Sequence, residues 1–332
     1  MTQRATRLAA TAFAVSTRCV LRLVLPLGLL FFCGGSLLSQ SQPVQVRHLR
    51  EEKRVEVSTG GKLFTIYRYG PEFPDKPIFY PILTLTGRPV NRGFPMRDDV
   101  PSESRDHPHQ KSLFFGYGNV NGVDYWSNQG GGRILHKAVL EASSGALGRL
   151  QILLEWVDPD HRAVLQEVKR VTFGATSHIR WMDHDITLTA LTEPVFFNDS
   201  KEGLFAIRVA PSLKEEGGGG RYLNAFGWET AAKVWGKRAP WVALGGEIEA
   251  EEVTLALFDH PSTENYPSYW HARAYGLFAA NPFGRKDFVR GTKPLNKKLA
   301  PGESFHFRYR LLIYQGRVSK ERLDLDYWSY IQ

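Results

Sequence analysis

The 332-residue chain is 42% hydrophobic and 23% charged, a globular composition that excludes a mainly disordered or collagen-like polymer. Its formal charge of +8 includes Arg4, Arg7, Arg18 and Arg22, all ahead of any foldable region. No basic tract of nucleic-acid-binding character follows, so no nucleic-acid partner is expected.

From the N-terminus, residues 1–22 carry arginines and no acid, and Val24 to Phe32 form a short apolar run followed by Gly34, Gly35 and Ser36. This positive, apolar, small-residue order is that of a secretory signal peptide. The apolar run is shorter than the ~20 residues a membrane span needs, and Arg22 interrupts any extension backwards. We expect residues 1–39 to be a signal peptide, with cleavage after Ser39 or Ser41. Residues 40–332 then form one exported domain, periplasmic or extracellular, without stable membrane insertion. An uncleaved anchor is the alternative. Cys33 raises lipoprotein processing, although Phe32 is large for the position before a lipidated cysteine. Both cysteines, Cys19 and Cys33, fall in this segment. The exported part therefore has no disulfide and no thiolate metal site, and its core must hold it.

The rest reads as strand. Nineteen prolines, 31 glycines, 20 Phe, 13 Tyr and 8 Trp favour strands and turns over helical bundles. In Asp185 to Leu191 apolar and polar residues alternate, as they do in Val253, Leu255 and Leu257. Phe305, Phe307, Tyr309, Leu311 and Ile313 share a face, with His306, Arg308 and Arg310 opposite. Further strands are predicted at 62–69, 78–86, 112–118, 133–142, 147–157, 163–173, 203–209 and 239–244. Pro211 to Gly220 reads as a flexible surface loop, and Trp228, Trp235 and Trp241 as core or rim. Only the tail has helical spacing: Ser319 can cap a short helix with Leu323, Tyr327 and Ile331 on one side. So many strands without βαβ alternation imply an all-β fold, a large antiparallel β-sandwich with a short C-terminal helix.

Four loop clusters carry the chemistry. In Arg105-Asp106-His107-Pro108-His109-Gln110-Lys111, a histidine can transfer protons near neutral pH or bind a metal; the same residues can also simply satisfy loop backbone. Asn121-Gly122 signals a hairpin tip. Asn121, Asp124 and Trp126 together also offer an amide, a carboxylate and an aromatic face, which suits a sugar. In Ser200-Lys201-Glu202-Gly203, Glu202 is a general-base candidate beside Lys201, with an ordinary ion pair as the plainer reading. Trp270-His271-Ala272-Arg273 places an aromatic, a proton carrier and an anion clamp in one segment; a buried histidine among aromatics is the competing reading.

These four motifs, with Asn281-Pro282-Phe283-Gly284, resemble over about residues 45–316 the exported bacterial family labelled "methane oxygenase PmoA". Particulate methane monooxygenase subunits of that name are polytopic membrane proteins. This chain, with a mean hydropathy of −0.29 and no long apolar run after residue 38, is not one of them. The resemblance implies a sugar-utilisation setting, and the strand pattern is similar to galactose-mutarotase-like supersandwiches. Two functions compete. In the first, the protein is an exported carbohydrate-active enzyme of epimerase/mutarotase, lyase or hydrolase type. Its acid–base residues are then His107, His109, Glu202 and His271. Lys111, Asn121, Asp124, Trp126, Lys201, Trp270 and Arg273 bind the carbohydrate or other small molecule, and no cofactor or metal is expected. In the second, His107, His109 and His271 hold a metal with Asp106 or Glu202 in an oxygenase-like enzyme. Non-catalytic sugar binding through Trp126 and Trp270 is a third possibility.

Overall fold

The computed structural model describes residues 41–101 and 103–332. The expected signal segment 1–39, with both cysteines, lies outside the described residues. The described residues belong to one compact unit, Ser39–Gln332, built on two eight-stranded antiparallel sheets.

The first sheet runs in the order β1 (Val44–Leu49), β2 (Arg54–Thr59), β3 (Lys62–Arg68), β4 (Ile78–Ile82), β5 (Leu113–Phe115), β11 (Phe205–Arg208), β16 (Leu277–Asn281) and β15 (Tyr269–Ala272). The second runs β12 (Arg221–Asn224), β13 (Trp241–Ile248), β14 (Glu251–Asp259), β18 (Ser304–Gln315), β9 (Ile179–Ala190), β8 (Ala163–Ala175), β7 (Gly148–Val157) and β6 (Arg133–Ser143). A small pair, β10 (Val195–Phe197) and β17 (Lys297–Leu299), completes the strands.

Alternation explains the layering. Along β9 buried and half-buried residues alternate at every position, so Met182, Ile186 and Leu188 share the inner face. Rings from the two sheets meet across the core: Phe115 against Phe307 at 5.7 Å, Phe64 against Phe173 at 6.3 Å, and Phe205 stacked on Tyr309 at 4.9 Å. The fold is therefore the large antiparallel sandwich that the alternation implies. Buried Arg180 of β9 ties the layers together, donating to the carbonyls of Leu63, Leu83 and Thr84 at 2.7–3.0 Å. Burial lowers its pKa to about 10, and it remains charged.

Two helices are present among the described α-helical elements, α1 (Ala231–Val234) and α2 (Lys320–Ile331). Ser319 caps α2, its hydroxyl accepting from Arg322 N at 3.3 Å. The buried stripe is Leu323, Tyr327 and Tyr330, packed on the outer face of the second sheet against Trp241, Phe258, Leu312 and Tyr314. Ile331, expected in that stripe, is only partly buried beside it.

Pro211–Gly220 is less free than its glycines imply. Pro211–Leu213 form a 3₁₀ turn with Leu213 fully buried, and Glu216 N and Gly219 N donate to Ala274 O and Ser212 O. On the outer face of the first sheet, Ile78, Tyr80, Phe114, Ala206, Leu277 and Ala279 form an apolar floor under Trp126. The candidate site lies on this face.

Candidate functional site

Strand β11 turns Phe205 and Ile207 into the core and Ala206 and Arg208 outward. A buried guanidinium must find partners, and Arg208 finds them in the loop ahead of β5. It donates to Gln110 Oε1 at 2.6 Å and to Asp106 Oδ1 at 2.8 Å, and lies 4.4 Å over the Tyr275 ring. Arg92, also buried, donates to the same Oδ1 at 2.9 Å and to the carbonyls of Ser104, Asp106, His107 and Gln110 at 2.8–3.2 Å. Two arginines therefore shape the whole 104–110 loop around one carboxylate. Burial would raise the Asp106 pKa, but hydrogen bonds from Ser104 and His107 and the charge of Arg208 hold it well below the usual carboxylate range.

The other Asp106 oxygen, Oδ2, lies 2.6 Å from His107 Nδ1. Because that carboxylate is ionised it accepts, which places the proton on Nδ1 and leaves Nε2 facing outward. The His107 ring, with a left-handed backbone at φ 45°, stacks on Tyr275 at 5.1 Å and 8°. His109 sits edge-on to it at 5.7 Å. Burial, followed by the charge of Lys76, lowers the His109 pKa to about 4, so His109 is neutral at pH 7. Both histidines and Lys111 line a cleft of about 1480 Å³, together with Asp75, Tyr80, Arg97 and Glu103.

Lys111 Nζ donates to Asp75 Oδ1 at 2.6 Å. Beneath it Lys76 is fully buried, donating to Trp126 O at 2.5 Å and to Asn128 Oδ1. Burial lowers the Lys76 pKa to about 8 against the opposing charge of Asp75. Asp124 organises the next turn, accepting from Trp126 N at 2.7 Å and Ser127 N at 2.9 Å. It is a turn carboxylate first and a cleft neighbour second.

Three expected binding residues are placed otherwise. Asn121 is the hairpin tip, at φ 54° beside Gly122 at φ 82°, and its carboxamide oxygen accepts from Phe196 N at 2.7 Å. Trp126 is 1% exposed, packed edge-on to Phe114 at 4.9 Å, so it offers no free face. Trp270 is 0% exposed because β15 turns it into the core, where Nε1 donates to Ala239 O at 2.9 Å. Neither tryptophan is an open stacking wall.

His271 points outward from β15 and is buried under Trp126 and Trp235. Its Nδ1 donates to Lys201 O at 2.9 Å, and its Nε2 accepts from Arg273 Nε at 3.1 Å. Burial and then the Arg273 charge lower its pKa to about 3. It is thus a neutral imidazole with both nitrogens committed, neither a proton donor at pH 7 nor a metal ligand. Glu202, 31% exposed, has Oε1 3.0 Å from Lys201 Nζ and Oε2 3.9 Å from His271 Nδ1. The expected closeness of Glu202 to a histidine is present, but that histidine's one proton is committed to Lys201 O, and neither residue lines the cleft. The proposed His107, His109 and His271 metal set is not assembled. Among the described residues no group of three His, Cys, Asp or Glu side chains is arranged to hold an ion.

The organising residues absent from the sequence reading are Arg92, Lys76 and Asp75, and Tyr275, within the 269–276 segment, has no role in it. One signal was available for the arginine. In Val90-Asn91-Arg92 a charge sits inside an otherwise apolar or amide stretch, and such a charge must be paired.

Residues 54–327 match the family of unknown function DUF6807, and the chain belongs to that family. No curated protein matches the sequence. Among solved structures the chain is similar to a galactose mutarotase-like protein of Clostridium acetobutylicum. Identity is 9% over 83% of this chain and 99% of that one, with a TM-score of 0.43. It is also similar to the GH36 alpha-galactosidase of Geobacillus stearothermophilus (13% identity, 82% of this chain and 41% of that one, TM-score 0.42). A third similar structure is the galactosidase domain of an alpha-galactosidase-sucrose kinase (11%, 82% and 42%, TM-score 0.40). The chain spans about two fifths of the length of these two galactosidase structures.

Proposed function

We propose that this DUF6807 protein is an exported carbohydrate-active enzyme that performs acid–base chemistry on a sugar in the cleft beside His107. The observation that carries the reading is the Asp106–His107 pair. An anchored, ionised carboxylate fixes the imidazole tautomer and directs Nε2 toward a cleft large enough for a sugar. In the reaction, Nε2 takes a proton from a sugar hydroxyl or ring carbon, and Asp106 stabilises the imidazolium that forms. His109 contributes a neutral imidazole, and Lys111 a positive charge. Glu202 and His271 move out of the proton-transfer role. Epimerase/mutarotase and lyase chemistry share this step, a hydrolase would turn the same base on water, and a carbohydrate or related small molecule is the partner. Residues 1–39 complete the reading as an export signal, leaving one domain from about residue 40.

The test is a sugar-library binding screen followed by turnover of whatever binds. His107→Gln retains binding and loses on the order of 10² or more in rate. A variant that turns substrate over at the parental rate removes His107 from the mechanism, and a screen with no bound sugar removes the carbohydrate reading.

A further inference from the structure

The cluster around His271 has no part in that proton transfer, and beside it stands a guanidinium with no carboxylate partner among the described residues. Arg273 stands in the turn between β15 and β16, where Gly276 N donates back to Arg273 O at 2.9 Å. Its guanidinium lies 3.8 Å over the Trp235 ring. Its Nε donates to His271 Nε2, and His271 is itself held by donation from Nδ1 to Lys201 O. The head group is thus stacked on one side and oriented through a neutral imidazole. No carboxylate lies within ion-pair distance of it among the described residues.

The buried arginines elsewhere direct their terminal nitrogens at carboxylates or carbonyls, although the Nε atoms of Arg92, Arg180 and Arg208 have no partner among the described residues. Arg92 and Arg208 close on Asp106, Arg310 closes on Asp183, and Arg180 closes on backbone carbonyls. Glu202 cannot take that role for Arg273, because it pairs with Lys201 and approaches His271 from the Nδ1 edge, away from Nε2. A preoriented guanidinium keeps parallel N–H donors for a planar, bidentate acceptor. Arg273 also belongs to the same turn as Tyr275, whose ring carries His107. Arg273 and the Asp106–His107 pair are thus linked through that turn on one face of the first sheet, with Arg273 outside the lining of the cleft itself.

We propose that Arg273 binds a carboxylate, and that the substrate is an acidic sugar of the uronate class, held by that carboxylate with its ring toward His107. The substrate class rests on the acid–base sugar reading above; the carboxylate clamp does not. A single planar fork matches a carboxylate in two parallel bonds; a phosphate can take the same fork, and glucose 6-phosphate separates the two.

The test titrates the full chain with sodium acetate, D-glucuronate, D-glucose and D-glucose 6-phosphate, read by tryptophan fluorescence and calorimetry. Glucuronate binds roughly tenfold or more tighter than glucose. Arg273→Gln abolishes that preference, and acetate quenches the parental protein saturably but not the variant. Arg273→Lys keeps the charge but not the fork, so it loses most of the preference with an unchanged melting temperature. Glucose bound as tightly as glucuronate overturns the uronate assignment while the sugar reading stands. Tighter binding of glucose 6-phosphate overturns it in favour of a phosphorylated sugar. Saturable acetate binding with no response to any sugar keeps the clamp and overturns the sugar reading, and no response to acetate or glucuronate overturns the clamp.

Discussion

His107 and His271 lie on the same face of the same sheet, and their partners give them opposite chemistry. His107 Nδ1 donates to an ionised carboxylate, whereas burial and Arg273 keep His271 neutral. The consequence for stability has a definite sign. The folded His271 pKa of about 3 lies below its ordinary 6.5, so its contribution is present above pH 6.5. It is lost as pH falls from there toward 3, because the unfolded chain takes up a proton that the native state refuses. For this one residue the loss between pH 7 and pH 4 is about 3 kcal/mol. His109 and His136, both lowered to about 4 by burial, add to the same slope, so the diagnostic is a difference. Urea denaturation at pH 7 and pH 4 should show a shallower fall for His271→Gln than for the parent, and identical slopes would mean that His271 is protonated in the fold. The residue types at 105–111 and 270–273 were legible because titratable groups cluster there in sequence. What each one does was not, because Arg92, Arg208 and Lys201 reach them from distant parts of the chain.

Among the elements, legibility follows how many faces of a strand are covered. One covered face leaves alternation, as in β9 and in β18 from Phe305 to Leu311. The pattern fails at Leu312 and Tyr314, which are buried as well because α2 lies on that outer face. Strands β11, β15 and β16 are buried at every residue, with the second sheet inside and the site loops outside. Without alternation, β15 and β16 are not among the predicted strands, whereas β11 falls within the predicted 203–209 as a short apolar run. The same cover makes α2 part of the structure rather than an appendage. Leu323, fully buried against the outer face of the second sheet, should cost about 2–4 kcal/mol when replaced by Ala. A denaturation midpoint within a few tenths of a kcal/mol of the parent would mean that the helix does not dock in solution.

At the scale of the molecule, the cleft depends on two sheets whose described strands are drawn from a single stretch of the sequence. Among the described residues, every strand of both sheets falls between Val44 and Gln315. The Arg180 tie between the layers likewise draws its partners from residues 62–84. The core aromatics come from that same span, with Phe64 at one end of the sequence and Tyr309 at the other. Among the described residues the core, the inter-sheet tie and the docked helix all lie downstream of residue 40, and a unit with its own core can fold alone. A protein beginning at Ser41 should therefore show a strand-dominated far-UV circular dichroism spectrum. It should also unfold cooperatively at the melting temperature of the full chain, within the ~2–4 °C that 1 kcal/mol shifts a domain of this size. It should bind the same sugars in the screen, because every residue of the proposed site is retained. A melting temperature lower by ten degrees or more would place part of the core in residues 1–40 and count against their removal as an export signal.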